Sequence, residues 1–251
     1  MPAVWDDPAV DWDAFTAVVI RSTWDYAARR DAFLAWAGSV PRLINPAPVL
    51  RWNTDKRYLA ELAAAGIAVV PTAFAAPGEA LELPDAPEIV VKPAVSAGAK
   101  DTARYGSVQS RRAFEHVAAL HAAERVAMVQ PYLDAVDAAG ETALVFFGGV
   151  FSHAIRKGPL LPASGAMADG LFAEEDISPR DPSAAERDAA DAVMAVVHEC
   201  FGALAYARVD LLRGPGDEPL LLELELTEPS LFLEHDAAAP DRLADAIVAV
   251  L

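Results

Sequence analysis

Residues 220–230 read Leu-Leu-Leu-Glu-Leu-Glu-Leu-Thr-Glu-Pro-Ser. A strand alternates its faces, so Glu223 and Glu225 project to one side while the leucines fill the other. Two like charges so close on one face repel unless a cation sits between them. Upstream, Asp210 interrupts the apolar run 205–212 and shares a strand face with Arg208. Pairing of the two runs through the turn at 213–219 brings Asp210 beside the glutamates. Three carboxylates on one sheet face form a hard oxygen site of the kind Mg²⁺ takes together with phosphate oxygens. The competing reading is the solvated polar face of a half-buried sheet, and spacing alone leaves both open.

Isolated basic residues complement the acids. Lys92 ends the run Ile-Val-Val-Lys and precedes Pro93 and the small-residue stretch Ala94-Val-Ser-Ala-Gly-Ala-Lys100. Such a stretch can bring backbone N–H groups close to a phosphate. It lacks the spacing and the Lys-Ser/Thr end of a Walker A loop, so taken alone a plain surface turn is the favoured reading. Lys56 is expected in the first turn of a helix, where the dipole disfavours a cation unless an anion is near. Arg156 and Lys157 close a strand, a place where a basic pair is often simply solvated. The cluster Arg21-Ser22-Thr23-Trp24-Asp25-Tyr26 follows another strand and suits a ligand loop. An Arg21–Asp25 pair with Trp24 packed beneath is the alternative.

No nucleophile announces itself. His116, His121, His153, His198 and His235 show no zinc-ligand spacing, and His116 and His121 read as one helix surface. There is no Gly-x-Ser-x-Gly elbow. The single cysteine, Cys200, excludes an intramolecular disulfide and is expected to be a buried, inert thiol.

These groups must be positioned by a mixture of strands and helices. Strands are expected at 17–21, 89–92, 126–130, 143–147, 150–155, 205–212 and 220–226. Helices are expected at 31–38, 55–65, 110–123, 183–201 and 241–250, with Asn53-Thr54, Ser110 and Ser183 as caps and Gly66 as a stop. Ser183 with Glu186 makes a capping box. Gly148-Gly149 joins two strands as a hairpin, and Gly214-Pro215-Gly216-Asp217 marks another turn. Antiparallel neighbours of this kind exclude a purely parallel sheet, leaving an α+β fold with more than one sheet. Loops fall at 75–88 and at 158–182, the second long enough to act as a lid.

The chain has 251 residues with 54% hydrophobic content and a formal charge of -17. That length builds one large domain or two small ones and excludes a wholly disordered chain. The acidic balance argues against nucleic acid or an anionic membrane as partner. The N-terminus does not read as a signal peptide, and no run is long and apolar enough to span a membrane. A soluble, cytoplasmic protein acting on small molecules is expected.

In their order, the motifs resemble the ATP-grasp superfamily. These are Asn53-Thr-Asp-Lys56, Val-Val-Lys92-Pro with its small-residue loop, and Met128-Val-Gln-Pro-Tyr-Leu133. Gly140-Glu141, Arg156, Arg208-Val-Asp210 and Glu223-Leu-Glu-Leu-Thr-Glu-Pro-Ser230 follow. The last stretch is similar to the metal-binding strand of bacterial glutathione synthetases, with Glu225 where those carry Asn. Within the superfamily the chain resembles in particular the O-ureido-serine cyclo-ligases of cycloserine biosynthesis, on Arg21-Ser-Thr-Trp-Asp-Tyr26, Arg51-Trp-Asn-Thr-Asp-Lys56, Lys92-Pro-Ala-Val-Ser-Ala-Gly98 and the 223–230 segment.

The resemblance implies an α+β ATP-grasp fold, two subdomains clasping ATP, preceded by a shortened α/β domain. The implied divisions are 1–54, 55–130 and 131–251. It implies an ATP-dependent carboxylate–amine or intramolecular cyclising ligase working through an acyl phosphate on a small amino-acid-like substrate. The alternative is a catalytically silent ATP-binding or regulatory module derived from one. Lys56 and Lys92 would hold the phosphates, with Ser96, Ala97, Gly98 and Ala99 as the grasping loop. Gln130, Pro131, Tyr132 and Leu133 would meet adenine, and Glu141 the ribose. Asp210, Glu223 and Glu225 would bind one or two Mg²⁺, with Mn²⁺ as a substitute. Arg156 would neutralise the transferring phosphoryl group and Arg208 the tetrahedral intermediate. Arg21, Ser22, Thr23, Trp24, Asp25 and Thr227 would serve the second substrate. A second copy of the chain is a candidate partner. Family members open with a complete βαβ unit, whereas here Met1 falls just ahead of Trp5-Asp6-Asp7-Pro8. The first strand and helix are therefore expected to be missing, through a truncated start or a layer reduced or completed by a partner.

Overall fold

The computed structural model describes residues 1–81, 84–106, 111–161 and 176–251. Three sheets organise those residues. The smallest joins β1 (Val18–Val19) to β2 (Leu43–Ile44) in parallel, with helix α1 (Arg30–Ser39) as the crossover. Around α1, Phe33 and Trp36 pack against Trp5, Trp12 and Tyr26.

The second sheet is antiparallel, in the order β3-β6-β4-β5, from β3 (Ala73–Ala75), β4 (Ile89–Pro93), β5 (Ala103–Tyr105) and β6 (Ala127–Pro131). The sequence Ile-Val-Val-Lys splits by parity. Ile89 and Val91 are covered by helix α4 (Arg111–Ala122) through Ala113, Val117 and Leu120, which turns Val90 and Lys92 to the other face. Ser110, expected to cap α4, lies outside the described residues.

The third sheet is antiparallel, in the order β11-β10-β7-β8-β9. Its strands are β7 (Glu141–Phe147), entered from the short helix α5 (Ala135–Ala139), β8 (Val150–Lys157), β9 (Ile177–Pro179), β10 (Tyr206–Arg213) and β11 (Pro219–Glu225). Both expected hairpins are present, β7–β8 turning through Gly148-Gly149 at φ 59° and 80°. One face carries Leu144, Phe146, Val209, Leu211 and Leu224. It is buried under α6 (Ala184–Phe201) and the helices α2 (Ala47–Asn53) and α3 (Tyr58–Ala64). Each fully buried leucine there stabilises the fold by ~1.5–3 kcal/mol. The opposite face is divided. Val145, Phe147 and Tyr206 pack beneath α7 (Ala239–Ala249), while the other half faces the second sheet across a gap. The capping box Ser183–Glu186 opens α6 as expected.

Three local expectations are corrected. Asn53 and Thr54 close α2 instead of opening a helix, and Lys56 sits in the link before α3, its N–H donating to Ala94 O at 2.9 Å. No helix was expected over 47–53, yet proline is favoured in a first helical turn, where its missing N–H has no partner to lose. Cys200 is exposed, in the last turn of α6, whose buried face carries Ala190, Val193, Met194 and Val197. His116 is buried rather than on the surface, its Nδ1 3.1 Å from Tyr105 Oη.

Candidate active site

A cavity of about 540 Å³ opens between the second and third sheets. One wall is Val90, Lys92, Thr102, the 96–99 loop and the 130–133 segment. The facing wall is Glu141, Lys157, Arg208, Leu212 and residues 222–225, and Trp24, Tyr26, Glu228, Ser230 and Phe232 close one end.

The 130–133 end is apolar, with Val136, Leu212 and Leu222 around it. It is held stiffly. The Arg104 guanidinium lies 3.5 Å from the Tyr132 ring centroid, donates to Glu88, and Tyr132 Oη donates to Asp137 at 2.5 Å. The Tyr132 N–H is used by Glu88 O, whereas the Leu133 N–H has no partner among the described residues. Gln130 turns its amide to Thr72 Oγ1 at 2.9 Å. Opposite, Ala97, Gly98 and Ala99 leave their N–H groups unpaired among the described residues, with Gly98 and Ala99 at φ 62° and 55°. That geometry forms an anion-binding concavity.

The centre is ionic. Cross-strand register sets Asp210 opposite Glu223 and opposite Ala143, Arg208 opposite Glu225, and Glu141 opposite Lys157. All these acids and bases therefore share one face. Lys56 Nζ reaches Glu223 Oε1 at 3.0 Å and also donates to Ser96 O. Arg208 donates to Asp210 through two nitrogens, at 2.8 and 2.7 Å, and to Glu225. Lys157 lies 2.9 Å from Asp210 and pairs with Glu141.

Burial works against every charge here, and partners decide the outcome. Desolvation alone would raise Asp210, but Arg208 and Lys157 hold it well below the usual carboxylate range. Glu223 is likewise kept low by Lys56 and Lys92 against its burial. For Glu225 desolvation wins, helped by Glu223 and Asp210, and its pKa rises. Glu141 is pushed up to about 8 by burial despite Lys157. Lys92, 9% exposed, is pulled down to about 8 by burial, with Glu223 opposing. Lys157 is raised, its burial outweighed by Asp210 and Glu141.

Of the residues singled out in the sequence, the structure brings Lys56, Lys92, the 96–99 loop, the 130–133 segment, Glu141, Arg208, Glu223, Glu225 and Trp24 to this cavity. It does not bring the rest. Arg156 is replaced by its neighbour Lys157. Arg156 pairs with Thr142 in register, shares that strand's α6-facing side, and bonds Ala139 O and Asp176. Asp25 turns away to Trp5 and Arg29. Thr227 is buried, donating from Oγ1 to Asn53 Oδ1 at 3.1 Å, a strut below the cavity floor. Ser22 is exposed at φ 54°, and Thr23 Oγ1 is buried without a hydrogen bond. Arg21 is exposed, within electrostatic reach of Glu228 and Glu225. Residues 162–175, most of the expected lid, lie outside the described residues.

Sequence reasoning left Lys157 to solvent and missed Glu228, Ser230 and Phe232 as cavity residues, whereas Tyr26 belongs to the loop it had marked. Strand parity alone does not choose between Arg156 and Lys157; the β7–β8 register does, setting Lys157 opposite Glu141. No local pattern marks Glu228, which follows the end of β11.

The triple-carboxylate expectation is met only in part. Among the described residues no three Asp, Glu, His or Cys side chains converge to hold a metal ion. Asp210 is 1% exposed and saturated by Arg208 and Lys157. Glu223 and Glu225 do line the cavity, and each has one carboxylate oxygen without a partner among the described residues. Two carboxylates beside an anion-binding loop fit Mg²⁺, which characteristically takes one or two carboxylates plus phosphate oxygens.

Comparison with known proteins agrees with this geometry. A family model described as the N-terminal domain of D-cycloserine synthetase DcsG matches residues 1–45. The cycloserine biosynthesis protein DcsG of Streptomyces lavendulae is 42% identical over 261 residues, covering 97% of this chain and 86% of that protein. The crystal structure of D-cycloserine synthetase DcsG superposes with a TM-score of 0.88 at 40% identity, covering 98% of this chain and 88% of the other. A D-alanine–D-alanine ligase from Bacillus anthracis shares the fold, with a TM-score of 0.64 at 15% identity, over 96% of this chain and 88% of the other. So does an ATP-grasp RimK domain protein from Sphaerobacter thermophilus, with a TM-score of 0.62 at 19% identity over 93% and 81%.

Proposed function

The chain belongs to the DcsG family of ATP-grasp ligases and is an ATP-dependent ligase, and on that premise we propose that it converts the carboxylate of a small amino-acid-like substrate to an acyl phosphate, which a nitrogen nucleophile then captures. The observation that carries this reading is the linear order of the cavity: an apolar end, a centre with Lys56, Lys92, Lys157 and Arg208 around Glu223 and Glu225, then an aromatic and acidic end.

The adenine takes the apolar end, where the Leu133 N–H is available to a ring nitrogen. Glu141 meets the ribose. The unpaired amides of the 96–99 loop and the three lysines receive the phosphates, which is the positioning and charge neutralisation that phosphoryl transfer requires. Glu223 and Glu225 would hold Mg²⁺, which when bound offsets the charge of the phosphate oxygens. The substrate carboxylate attacks the γ-phosphorus, the bond to the β-phosphate oxygen breaks, and ADP leaves. The nitrogen nucleophile then adds to the acyl carbon and loses one proton to the departing phosphate or solvent, and phosphate departs with the bonding electrons. Arg208 faces the oxygen that becomes negative in that addition. No side-chain nucleophile is needed, and among the described residues no Cys or His lines the cavity.

The substrate class follows from the resemblance to O-ureido-serine cyclo-ligases and from the D-cycloserine synthesis ascribed to the relative. Incubation with Mg-ATP and an amino-acid panel that includes O-ureido-serine, with products identified by mass spectrometry, tests it. ADP, phosphate and a ring-closed or amide product are expected; ATP left intact with every acid would overturn the reading.

A further inference from the structure

The acids of the cavity are partnered with one exception. Glu223 has Lys56, Glu225 has Arg208, Asp210 has Arg208 and Lys157, and Glu141 has Lys157. Glu228 is 7% exposed, lines the cavity and has no ion pair among the described residues. Tyr26 donates a hydrogen bond to it, and Lys56 and Arg21 act on it only across space, with no ion-pair contact among the described residues. A buried carboxylate without a cation is costly to retain, and burial with Glu225 nearby pushes its pKa up to about 8.

Its place in the cavity is equally specific. β11 advances ~3.3 Å per residue from the apolar end at Leu222 through Glu223 and Glu225, and Glu228 follows just beyond, with Trp24, Tyr26 and Phe232 around it. Arg208 Nη1 donates to Ser230 O at 3.1 Å, so the Arg208 cation and the Glu228 carboxyl flank one short segment of chain. That pairing of opposite charges is the complement of a zwitterion whose carboxylate and ammonium sit on one carbon.

We propose that Glu228 is the specificity-determining residue of the second-substrate site: it receives the α-ammonium of a free amino acid whose carboxylate points to Arg208 and the phosphates. Acids lacking that ammonium, whether hydroxy acids or N-acylated amino acids, are rejected because they leave Glu228 buried and unpaired. This assignment rests on the ligase reading above and adds the recognition element to it.

The test measures ADP release from Mg-ATP with a panel of free amino acids, O-ureido-serine among them, and with the N-acetyl and α-hydroxy counterpart of each. Mg-ADP affinity is measured in parallel. For the wild type only amine-bearing acids are expected to be consumed. Glu228→Gln is expected to raise KM about 10- to 100-fold, the size of one charge-assisted hydrogen bond, with Mg-ADP affinity unchanged and Glu228→Asp partly restoring KM. Equal use of the N-acetyl or hydroxy acids, or an unchanged KM in Glu228→Gln, overturns the proposal and leaves the ligase reading standing. Consumption of no acid at all, with Mg-ADP bound, removes both.

Discussion

Arg156 and Lys157 are adjacent in the chain and work on opposite faces of β8. Lys157 crosses the cavity floor to Glu141 and Asp210, while Arg156 ties the sheet edge to Ala139 O and Asp176. A strand reverses its side chains at each residue, so the two basic groups cannot substitute for one another. Lys157→Met is expected to lower kcat by at least ~100-fold, the scale of losing one group that stabilises transition-state charge. Arg156→Ala, whose partner Asp176 is exposed, is expected to hold kcat within about twofold and to cost under about 1 kcal/mol in stability. Steady-state kinetics beside thermal melts of both variants distinguishes the two roles.

Gly140 allows that floor to form. It sits at φ 71°, and a Cβ there would lie 2.6 Å from Lys157 O and 2.8 Å from Arg156 Nε. Gly140→Ala forces the β7 entry away from β8, at a cost of about 2–3 kcal/mol. For a chain of this size that lowers Tm by roughly 5–10 °C, and the displaced Glu141–Lys157 pair lowers activity at temperatures where the variant remains folded. A melt unchanged from wild type would show that the backbone can adapt.

Thr227 and Asn53 test what the floor is made of. Asn53 donates to Leu224 O at 2.7 Å and accepts from the Leu226 N–H at 2.8 Å, clamping the end of α2 to β11. Thr227 adds one hydrogen bond to the same Asn53 oxygen. Asn53→Ala is expected to cost about 2–4 kcal/mol, since two buried backbone groups lose their partners. Thr227→Val is expected to cost about 1 kcal/mol and to leave KM unchanged. Denaturant titration and KM values check both, and a large KM change in Thr227→Val would return that residue to the substrate site.

Glu228 predicts a pH signature for the ligand-free protein. Burial and Glu225 raise its folded pKa to about 8, above the ordinary carboxylate value of 4.5. The native state therefore binds the extra proton between those values. The stability linked to that proton is fully present below pH 4.5 and is lost as pH rises through about 8. Glu228→Gln removes the cost of ionising the buried acid. It is expected to raise the unfolding free energy over wild type at pH 8 to 9, by on the order of a few kcal/mol at most, and Tm with it, the difference vanishing near pH 4.5. A variant less stable at high pH would contradict this.

Much of this site was legible in the residues themselves. The period-two pattern of Ile-Val-Val-Lys and of Leu-Glu-Leu-Glu set Lys92, Glu223 and Glu225 on the right faces, and Gly148-Gly149 gave the hairpin. What parity could not supply was cross-strand register, and register selects Lys157 over Arg156. Spacing placed Asp210 with the glutamates but could not show that Arg208 and Lys157 would saturate it. No helix was expected over 47–53, and the presence of α2 there shifted Lys56 out of a helix. Thr227 and Glu228 are neighbours beyond the end of β11, one directed to Asn53 and the other to the cavity. No alternation rule extends past a strand end, so their fates could be known only from the packed structure.

The central claim is that the carboxylate passes through an acyl phosphate, and an oxygen-label experiment tests it most directly. The enzyme is supplied with Mg-ATP and O-ureido-serine carrying oxygen-18 in its carboxyl group, and the phosphate released is weighed by mass spectrometry. The account predicts ADP and inorganic phosphate two mass units heavier, because the attacking carboxylate oxygen leaves with phosphorus. Unlabelled phosphate, or the formation of AMP and pyrophosphate, would contradict it.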